Sequence, residues 1–411
     1  MKSKHTNNLG TSKMKVIEDL AWSIAALVIM NGIIQIVIYP VLNRRLGTEQ
    51  YGNVLYLISV VSIFSTGIGM ALSNVRLLRQ RRETAGNGDY LLVMLLFFLP
   101  SVLALWVMAQ KYVGLPDFVL LVLLMAFMTL RYYSDAEYRL SLNYRRYFLY
   151  YLILSIGYLL GLLLWDFFPV WMVPFLLGEI ACVAFCIKNG KIYHPMRCTS
   201  EKKQICRLAI QLAPSYLLYN LVVQMDRMML RTFIDSSSVT IYYVASLLGK
   251  VIALLVGPLN SIIVSYTTKA SSKLHVKTIL VTVCSFLLLS AMLFCAVCFI
   301  SPYVIRLLYG DIYDAVMEIS IWANLSQIVC FSASLILTLL LTIAPVYWQM
   351  IIQASYALIF FTFGYVGIQL NELHGFVYMT LLANIIRLVL TFIILIIYAL
   401  KMNPERKGHL K

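Results

Sequence analysis

Charged side chains are scarce in this chain. Only 12% of its 411 residues are Asp, Glu, Lys or Arg, whereas a soluble globular domain carries about a quarter. Hydrophobic residues make up 61% of the sequence instead. This composition excludes an ordinary soluble domain and places the chain in a lipid bilayer.

Acidic residues are the scarcer of the two charge types, with 18 against 33 basic residues and a net charge of +15. The basic residues lie in short segments between apolar runs, so there is no basic domain to bind nucleic acid. An excess of Lys and Arg in cytoplasmic loops is typical of membrane proteins. With the N-terminus inside, the inner segments carry 25 of the 33 basic residues and the outer loops five. We therefore predict that both termini are cytoplasmic.

The groups that enzymes need are missing from the apolar runs. The five histidines fall in loops, tails or span ends: His5, His194, His275, His374 and His409. This disfavours an acyltransferase that relies on a deep histidine base. "ASLLGK" (245–250) lacks the upstream glycine and the following Ser or Thr of a phosphate-binding loop. The longest outer loop, about 301–318, is too short for a catalytic domain, so we predict a carrier with no catalytic residue, metal or cofactor.

Paired cysteines are also lacking. Cys295-x-x-Cys298 has the spacing of a metal site, but it has no partner pair and lies within an apolar run. We interpret all eight cysteines as small packing residues.

Long apolar runs, in contrast, are abundant. About twenty residues cross the hydrocarbon core as a helix, and twelve runs are long enough: 20–41, 54–73, 90–110, 115–133, 147–165, 168–187, 208–230, 239–264, 278–300, 319–343, 346–369 and 376–400. A basic segment at 188–207 divides them into six and six. We predict an all-α integral membrane fold of twelve transmembrane helices in two pseudo-symmetric six-helix lobes around a central cavity. The predicted parts are an N-terminal lobe (1–190), a cytoplasmic basic linker (191–207) and a C-terminal lobe (208–411).

Polar residues interrupt the seventh run, "NLVVQMDRMMLRTFI" (220–234). Asn220, Gln224, Arg227 and Arg231 form one stripe on a helix. A guanidinium facing lipid at this depth would cost several kcal/mol, so the stripe should face protein or water. The alternative is a closed ion pair that involves Asp226, although adjacent residues point about 100° apart on a helix.

The later runs carry further polar residues. Asn324 and Gln327 lie on the tenth, Asn384 and Arg387 on the twelfth, and Lys250 on the eighth. The C-terminal lobe would then hold four intramembrane cations against the single acid Asp226, while a purely structural network should be closer to neutral. Arginine binds phosphate through its bidentate fork. The pattern therefore favours an anion site, with structural pairing as the alternative.

The first lobe has one deep charge by sequence, Glu179. It could bind a proton or cation that couples transport to an ion gradient, or it could be a counter-ion for the cationic lobe. Gly157-x-x-x-Gly161 indicates close helix packing.

Three strings resemble a known family. In "YPVLNRRLGTEQYGNVLYLISVV" (39–61), a proline, a leucine-glycine and a tyrosine-glycine follow the pattern of bacterial polysaccharide flippases. "MDRMMLRTFIDSSSVTIYYVASLLGKVIALLVGPLNSIIVSYTTK" (225–269) is similar to their seventh and eighth helices, and "LLYGDIYDAVMEISIWA" (307–323) to the segment that leads into the tenth. Together with the twelve spans, the chain resembles the O-antigen and capsule repeat-unit flippases of the multidrug/oligosaccharidyl-lipid/polysaccharide exporter (MOP) superfamily. "STGIGM" (65–70) lacks an acidic residue that relatives often have, and Ser265-Tyr266 stands where many have a proline.

The resemblance implies a substrate and a location. It implies transfer of an undecaprenyl-diphosphate-linked oligosaccharide across the bacterial inner membrane by alternating access, with a polysaccharide polymerase and a chain-length regulator as partners. Arg227, Lys250 and Arg387 would hold the diphosphate and Arg231 would help at the outer mouth. The side chains expected to meet sugar hydroxyls are Asn220, Gln224, Asn324, Gln327 and Asn384. Coupling to a proton or sodium gradient is left open, with Asp226 and Glu179 as its candidates.

Three other functions fit a polytopic chain. A drug/cation antiporter of the same superfamily should have an acidic pocket, whereas this one is predicted to be basic. A polysaccharide polymerase or ligase should carry a sizeable outer loop. A scaffold for glycan assembly would not require intramembrane cations.

Overall fold

The computed structural model describes residues 18–19, 21–79, 86–199, 201–256, 259–260, 263, 276–345 and 347–402. The terminal lysines and Ser265-Tyr266 lie outside these ranges, so the cytoplasmic termini remain a prediction. All regular structure within the ranges is helical.

The helices follow the predicted spans closely. A chain segment that crosses the hydrocarbon core becomes helical, because a helix satisfies its backbone hydrogen bonds internally. The first nine are α1 (Ala21–Leu46), α2 (Thr48–Arg79), α3 (Asn87–Ala109), α4 (Leu115–Ser141), α5 (Tyr144–Asp166), α6 (Met172–Asn189), α7 (Lys202–Phe233), α8 (Ser236–Ala245 with Leu247–Ala253) and α9 (Val276–Leu308). The tenth, α10, is Gly310–Leu341.

The last helical stretch, Tyr347–Met402, is two spans. Its 56 residues would extend about 84 Å as one helix, far more than the hydrocarbon thickness. The backbone leaves helical geometry at Asn371 and Glu372, where Glu372 has φ of 43°. Residues 347–370 (α11) and 373–402 (α12) therefore form a hairpin. With α8 counted as one bent span, the twelve predicted helices are confirmed.

Two glycines allow the α11–α12 hairpin to close. A Cβ at Gly367 would lie 2.4 Å from the carbonyl oxygen of Gly375, and a Cβ at Gly375 would lie 2.0 Å from that of Gly367. Neither position can accept a side chain while the hairpin keeps this spacing.

The chain forms two compact units. The first contains residues 1–47 and 53–228, and the second contains 48–52 and 229–411. The division falls inside α7, so most of that helix packs with the first six. The lobe boundary that we predict at residues 191–207 divides the chain by sequence position, whereas the compact units are defined by contacts. It therefore stays a prediction.

The linker is an ordered part of the first unit. The Tyr193 hydroxyl donates to the Leu130 carbonyl (3.1 Å) and lies 2.8 Å from the Ser134 hydroxyl. Burial raises the pKa of this Tyr193 hydroxyl, so it stays a neutral donor. The Asn87 amide donates to the carbonyls of Lys191 (3.1 Å) and Pro195 (3.2 Å). The basic segment is therefore held against α3 and α4.

The predicted glycine contact on α5 is present. A Cβ at Gly157 would lie 2.5 Å from Gly178 Cα, and one at Gly161 would lie 2.5 Å from Pro174 Cα. The backbones of α5 and α6 touch directly, which is how small residues bring membrane helices together.

We expect Gly157→Val to separate α5 from α6 and to destabilise the protein by about 1–3 kcal/mol, the usual cost of overpacking. The measurement is thermal unfolding in detergent. Gly32→Val on α1 is the matched control, because a Cβ at Gly32 meets no described atom within 4 Å. Equal melting temperatures for the two variants would contradict the close contact.

Candidate anion-binding site

The strongest candidate in the second unit is Arg387 on α12, which is only 5% exposed. Its Nη1 donates to Cys330 Sγ (3.1 Å) and its Nη2 lies 3.4 Å from Ser334 Oγ, both on α10. No carboxylate of the described residues lies within 4.0 Å of this guanidinium, and its Nε has no hydrogen-bond partner among them. A buried cation held only by a thiol and a hydroxyl is poorly compensated.

An aromatic ring provides the remaining stabilisation of Arg387. Its guanidinium carbon lies 4.5 Å from the ring centroid of Tyr356 on α11. A desolvated cation–π contact of this kind contributes about 2 kcal/mol, less than burying a charge costs. The pocket is thus electropositive.

Asn384 lies one turn before Arg387 on the same face of α12. Its Nδ2 donates to Ser326 Oγ (2.8 Å), while its buried Oδ1 has no partner among the described residues. The arginine Nε and this amide oxygen are thus a donor and an acceptor with hydrogen-bonding capacity left for a polar ligand.

Lys250 also belongs to the second unit. It follows the bend in α8, and its Nζ lies 5.4 Å and 5.1 Å from the ring centroids of Tyr242 and Tyr243. Like Arg387, it lies against aromatic faces.

Asn324 does not fit its predicted role in sugar binding. Its Nδ2 donates to the Ala245 carbonyl (2.7 Å), and its Oδ1 accepts from the Gly249 N–H (2.8 Å). Both ends of the amide are committed to the backbone of α8. Gln327, one turn on, is half-buried and packs its Cβ and Cγ beside Gly249.

The stripe on α7 divides between the compact units. Asn220, Gln224 and Arg227 belong to the first unit, as does the adjacent Asp226, whereas Arg231, in the last turn of α7, belongs to the second. Arg227 therefore lies in a different compact unit from Arg231, Lys250 and Arg387. Its Nη1 donates to Ser59 Oγ on α2 (3.1 Å).

The polar residues around Arg227 on α7 are buried or half-buried. The Asn220 amide donates to the Tyr216 carbonyl of its own helix (2.8 Å), and Gln224 is half-buried. Asp226 is buried, and its Oδ1 accepts from the Arg227 N–H (2.8 Å).

Glu179 is not the only deep charge of the first unit, although by sequence it stands alone. Arg131, which counts among the basic residues expected in the inner segments, is buried in α4, and its Nε lies 2.9 Å and 2.8 Å from the two carboxylate oxygens of Glu179. Tyr158 donates to the same carboxylate (2.9 Å). Glu179 is thus the counter-ion of Arg131, within its own unit. The predicted span 115–133 places Arg131 at the end of its helix. The helix in fact continues to Ser141, so Arg131 lies well inside it.

A second buried acid, Asp135, lies one turn along α4. It is 5% exposed, and the Tyr151 hydroxyl donates to it (3.2 Å and 3.3 Å). The surroundings of Arg131 therefore contain acids, unlike the Arg387 pocket.

The cysteines are not all packing residues as predicted. Cys182 and Cys186 are buried, but Cys198, Cys284 and Cys295 are exposed. Cys330 contacts Arg387, which its position in an apolar run did not reveal.

Removing one partner of the Arg131–Glu179 pair should leave a buried charge. We expect Arg131→Leu to lower the free energy of unfolding by about 3–5 kcal/mol. The double variant Arg131→Leu with Glu179→Leu should recover most of that loss, because two apolar residues can replace a buried pair. Thermal unfolding in detergent measures both. A double variant as unstable as the sum of the two single variants would contradict the direct pairing.

Comparison with solved structures identifies the fold. No protein-family model matches the chain, and no curated protein sequence matches it. Solved structures do. The lipid II flippase MurJ, in an inward closed conformation, is 14% identical with a TM-score of 0.70, covering 94% of this chain and 88% of its own.

Two further structures are MOP-superfamily transporters. An inward-facing multidrug resistance MATE family transporter is 13% identical with a TM-score of 0.61, covering 94% of this chain and 96% of its own. A transporter from Pyrococcus furiosus, for which reverse polarity of the binding pocket suggests a different function, is 12% identical with a TM-score of 0.61, covering 93% and 95%. Over nearly its whole length, the chain therefore has the all-helical fold of MOP-superfamily transporters.

Proposed function

We propose that this protein is a flippase that moves undecaprenyl-diphosphate-linked oligosaccharide repeat units, of O-antigen or another surface polysaccharide, from the inner to the outer leaflet. The observation that carries the proposal is Arg387, a buried guanidinium that no described carboxylate neutralises. A diphosphate brings the negative charge that this pocket lacks.

The roles of the individual residues follow from their surroundings. Arg387 and Lys250 bind the diphosphate, and Arg227 and Arg231 on α7 assist it. Asn384 offers its unpartnered Oδ1 to a sugar hydroxyl, and Asn220, Gln224 and Gln327 are further candidates for contacts with sugar. Asn324 is not proposed as a sugar contact, because both ends of its amide are hydrogen-bonded to the α8 backbone.

Transport itself is proposed to occur by alternating access, with the polyprenyl tail remaining in lipid. Asp226 remains the candidate for coupling to a proton or sodium gradient. Glu179 is a weaker candidate, because Arg131 and Tyr158 already occupy its carboxylate. The protein would function in the bacterial inner membrane with cytoplasmic termini, beside a polysaccharide polymerase and a chain-length regulator.

The fold favours a transporter over the alternative of a polysaccharide polymerase or ligase. MurJ, which has the highest TM-score of the structures compared above, is called a lipid II flippase, and that likeness supports a lipid-linked substrate here. An antiporter for cationic drugs, suggested by the MATE transporters, is disfavoured because a cationic substrate would be repelled by the only partly compensated charge of Arg387.

Substitution of Arg387 tests the diphosphate site. We expect Arg387→Ala to weaken binding of undecaprenyl diphosphate by at least about 30-fold, since loss of one partner of a buried charge pair costs 2 kcal/mol or more. Surface polysaccharide should fall in parallel. Arg387→Lys should restore binding only in part, because lysine lacks the bidentate fork.

Equilibrium binding to protein in lipid nanodiscs measures the affinities. Arg306→Ala is the matched control, because Arg306 is an exposed arginine of the same unit at the end of α9. Full surface display by Arg387→Ala, with normal amounts of inserted protein, would overturn the proposed site.

A further inference from the structure

The bend in α8 is made by a side chain from another helix. The two segments of α8 meet at Ser246 at an angle of 59°. An uninterrupted helix would join the Ala245 carbonyl to the Gly249 N–H, since these groups are four residues apart. The Asn324 carboxamide is bonded to both of them instead, at 2.7 Å and 2.8 Å. It is inserted into the place of a single helical hydrogen bond.

An amide of this size satisfies both backbone groups. Its Nδ2 donates to a carbonyl and its Oδ1 accepts from an N–H, so an apolar residue would leave both of them without this partner. Leaving such a group unpaired in a buried site destabilises the structure. Asn324 is 2% exposed, and Ser320 on the same helix supports it from one turn away.

Gly249 makes the insertion sterically feasible. A Cβ at this position would lie 2.6 Å from Gln327 Cβ and 3.1 Å from Asn324 Oδ1. Gly249 lies in the string that lacks the residues of a phosphate-binding loop, and the structure gives it a different role. Because it has no side chain, the Asn324 amide of α10 can reach the backbone of α8.

The direction of the bend connects the insertion to Lys250. At about 100° per residue, Tyr243 and Lys250 share a face of α8 that is roughly opposite the Ala245–Gly249 side. Opening one side of a helix bends it toward the other. On this face the Lys250 Nζ lies 5.1 Å from the Tyr243 ring centroid.

We infer that Asn324 is a positioning residue, which holds α8 bent and thereby places Lys250 over Tyr242 and Tyr243 for contact with the anionic substrate. The contact with an anionic substrate rests on the proposed function, whereas the bend in α8 does not depend on it. It gives α8 two arrangements, bent with the amide inserted and straight with the helical bond re-formed.

A distance across the bend tests the geometry without any substrate. Nitroxides would be attached to keto-bearing amino acids placed at Ser237 and Val251, which leaves the native cysteines unchanged. In Asn324→Leu, α8 should straighten and the distance should lengthen by about 3 Å, as expected from a rise of about 1.5 Å per residue. Asn384→Leu is the matched control, since Asn384 is an equally buried asparagine that bonds to a side chain rather than to α8. An unchanged distance in Asn324→Leu would overturn the inference.

A double-mutant cycle tests the link to Lys250. Asn324→Leu should weaken undecaprenyl diphosphate binding about tenfold or more in the native background and less than about twofold when Lys250→Met is also present. A loss that is equal in both backgrounds would show a merely structural role and overturn the positioning.

The two proposals can fail separately. Absence of diphosphate binding by the native protein would defeat the proposed function, and the nitroxide distance would still decide the role of Asn324. Normal binding by Asn324→Leu with a straightened α8 would retain the flippase and refute the positioning of Lys250.

Discussion

The hydrocarbon interior of a membrane stabilises neither a charge nor an unpaired backbone group, so each must find its partner within the protein. Arg131 and Arg387 show opposite solutions. Arg131 is matched by Glu179 through two short contacts, and the result is a neutral, structural pair. Arg387 lies on the face of Tyr356 beside a thiol and a hydroxyl. Because its charge is only partly compensated, this arginine defines the site.

The same constraint governs the backbone. At two irregular segments an asparagine side chain bonds the exposed backbone groups: Asn324 does so in α8, and Asn87 does so for the linker that precedes α7. Both are asparagines, whose amide carries a donor and an acceptor close to the main chain. Irregular backbone is thus tolerated because polar side chains reach it from neighbouring helices.

The number and order of the helices could be predicted from sequence, since an apolar run of about twenty residues has few alternatives. Arg387 could be found in the same way, because an arginine in such a run is conspicuous. The partners could not. Arg131 pairs with a residue 48 positions away and Asn324 with one 79 positions away, and no periodicity within a single helix reveals contacts over such separations. Nor could hydropathy place the division between the compact units inside α7.

The hairpin of α11 and α12 has a consequence for biogenesis. Gly367 and Gly375 bring the two backbones together without an intervening side chain, and the turn at Asn371 and Glu372 is short. The ring that covers the Arg387 guanidinium on α12 belongs to α11. Insertion of the two arms as a pair would therefore keep this charge away from lipid during synthesis.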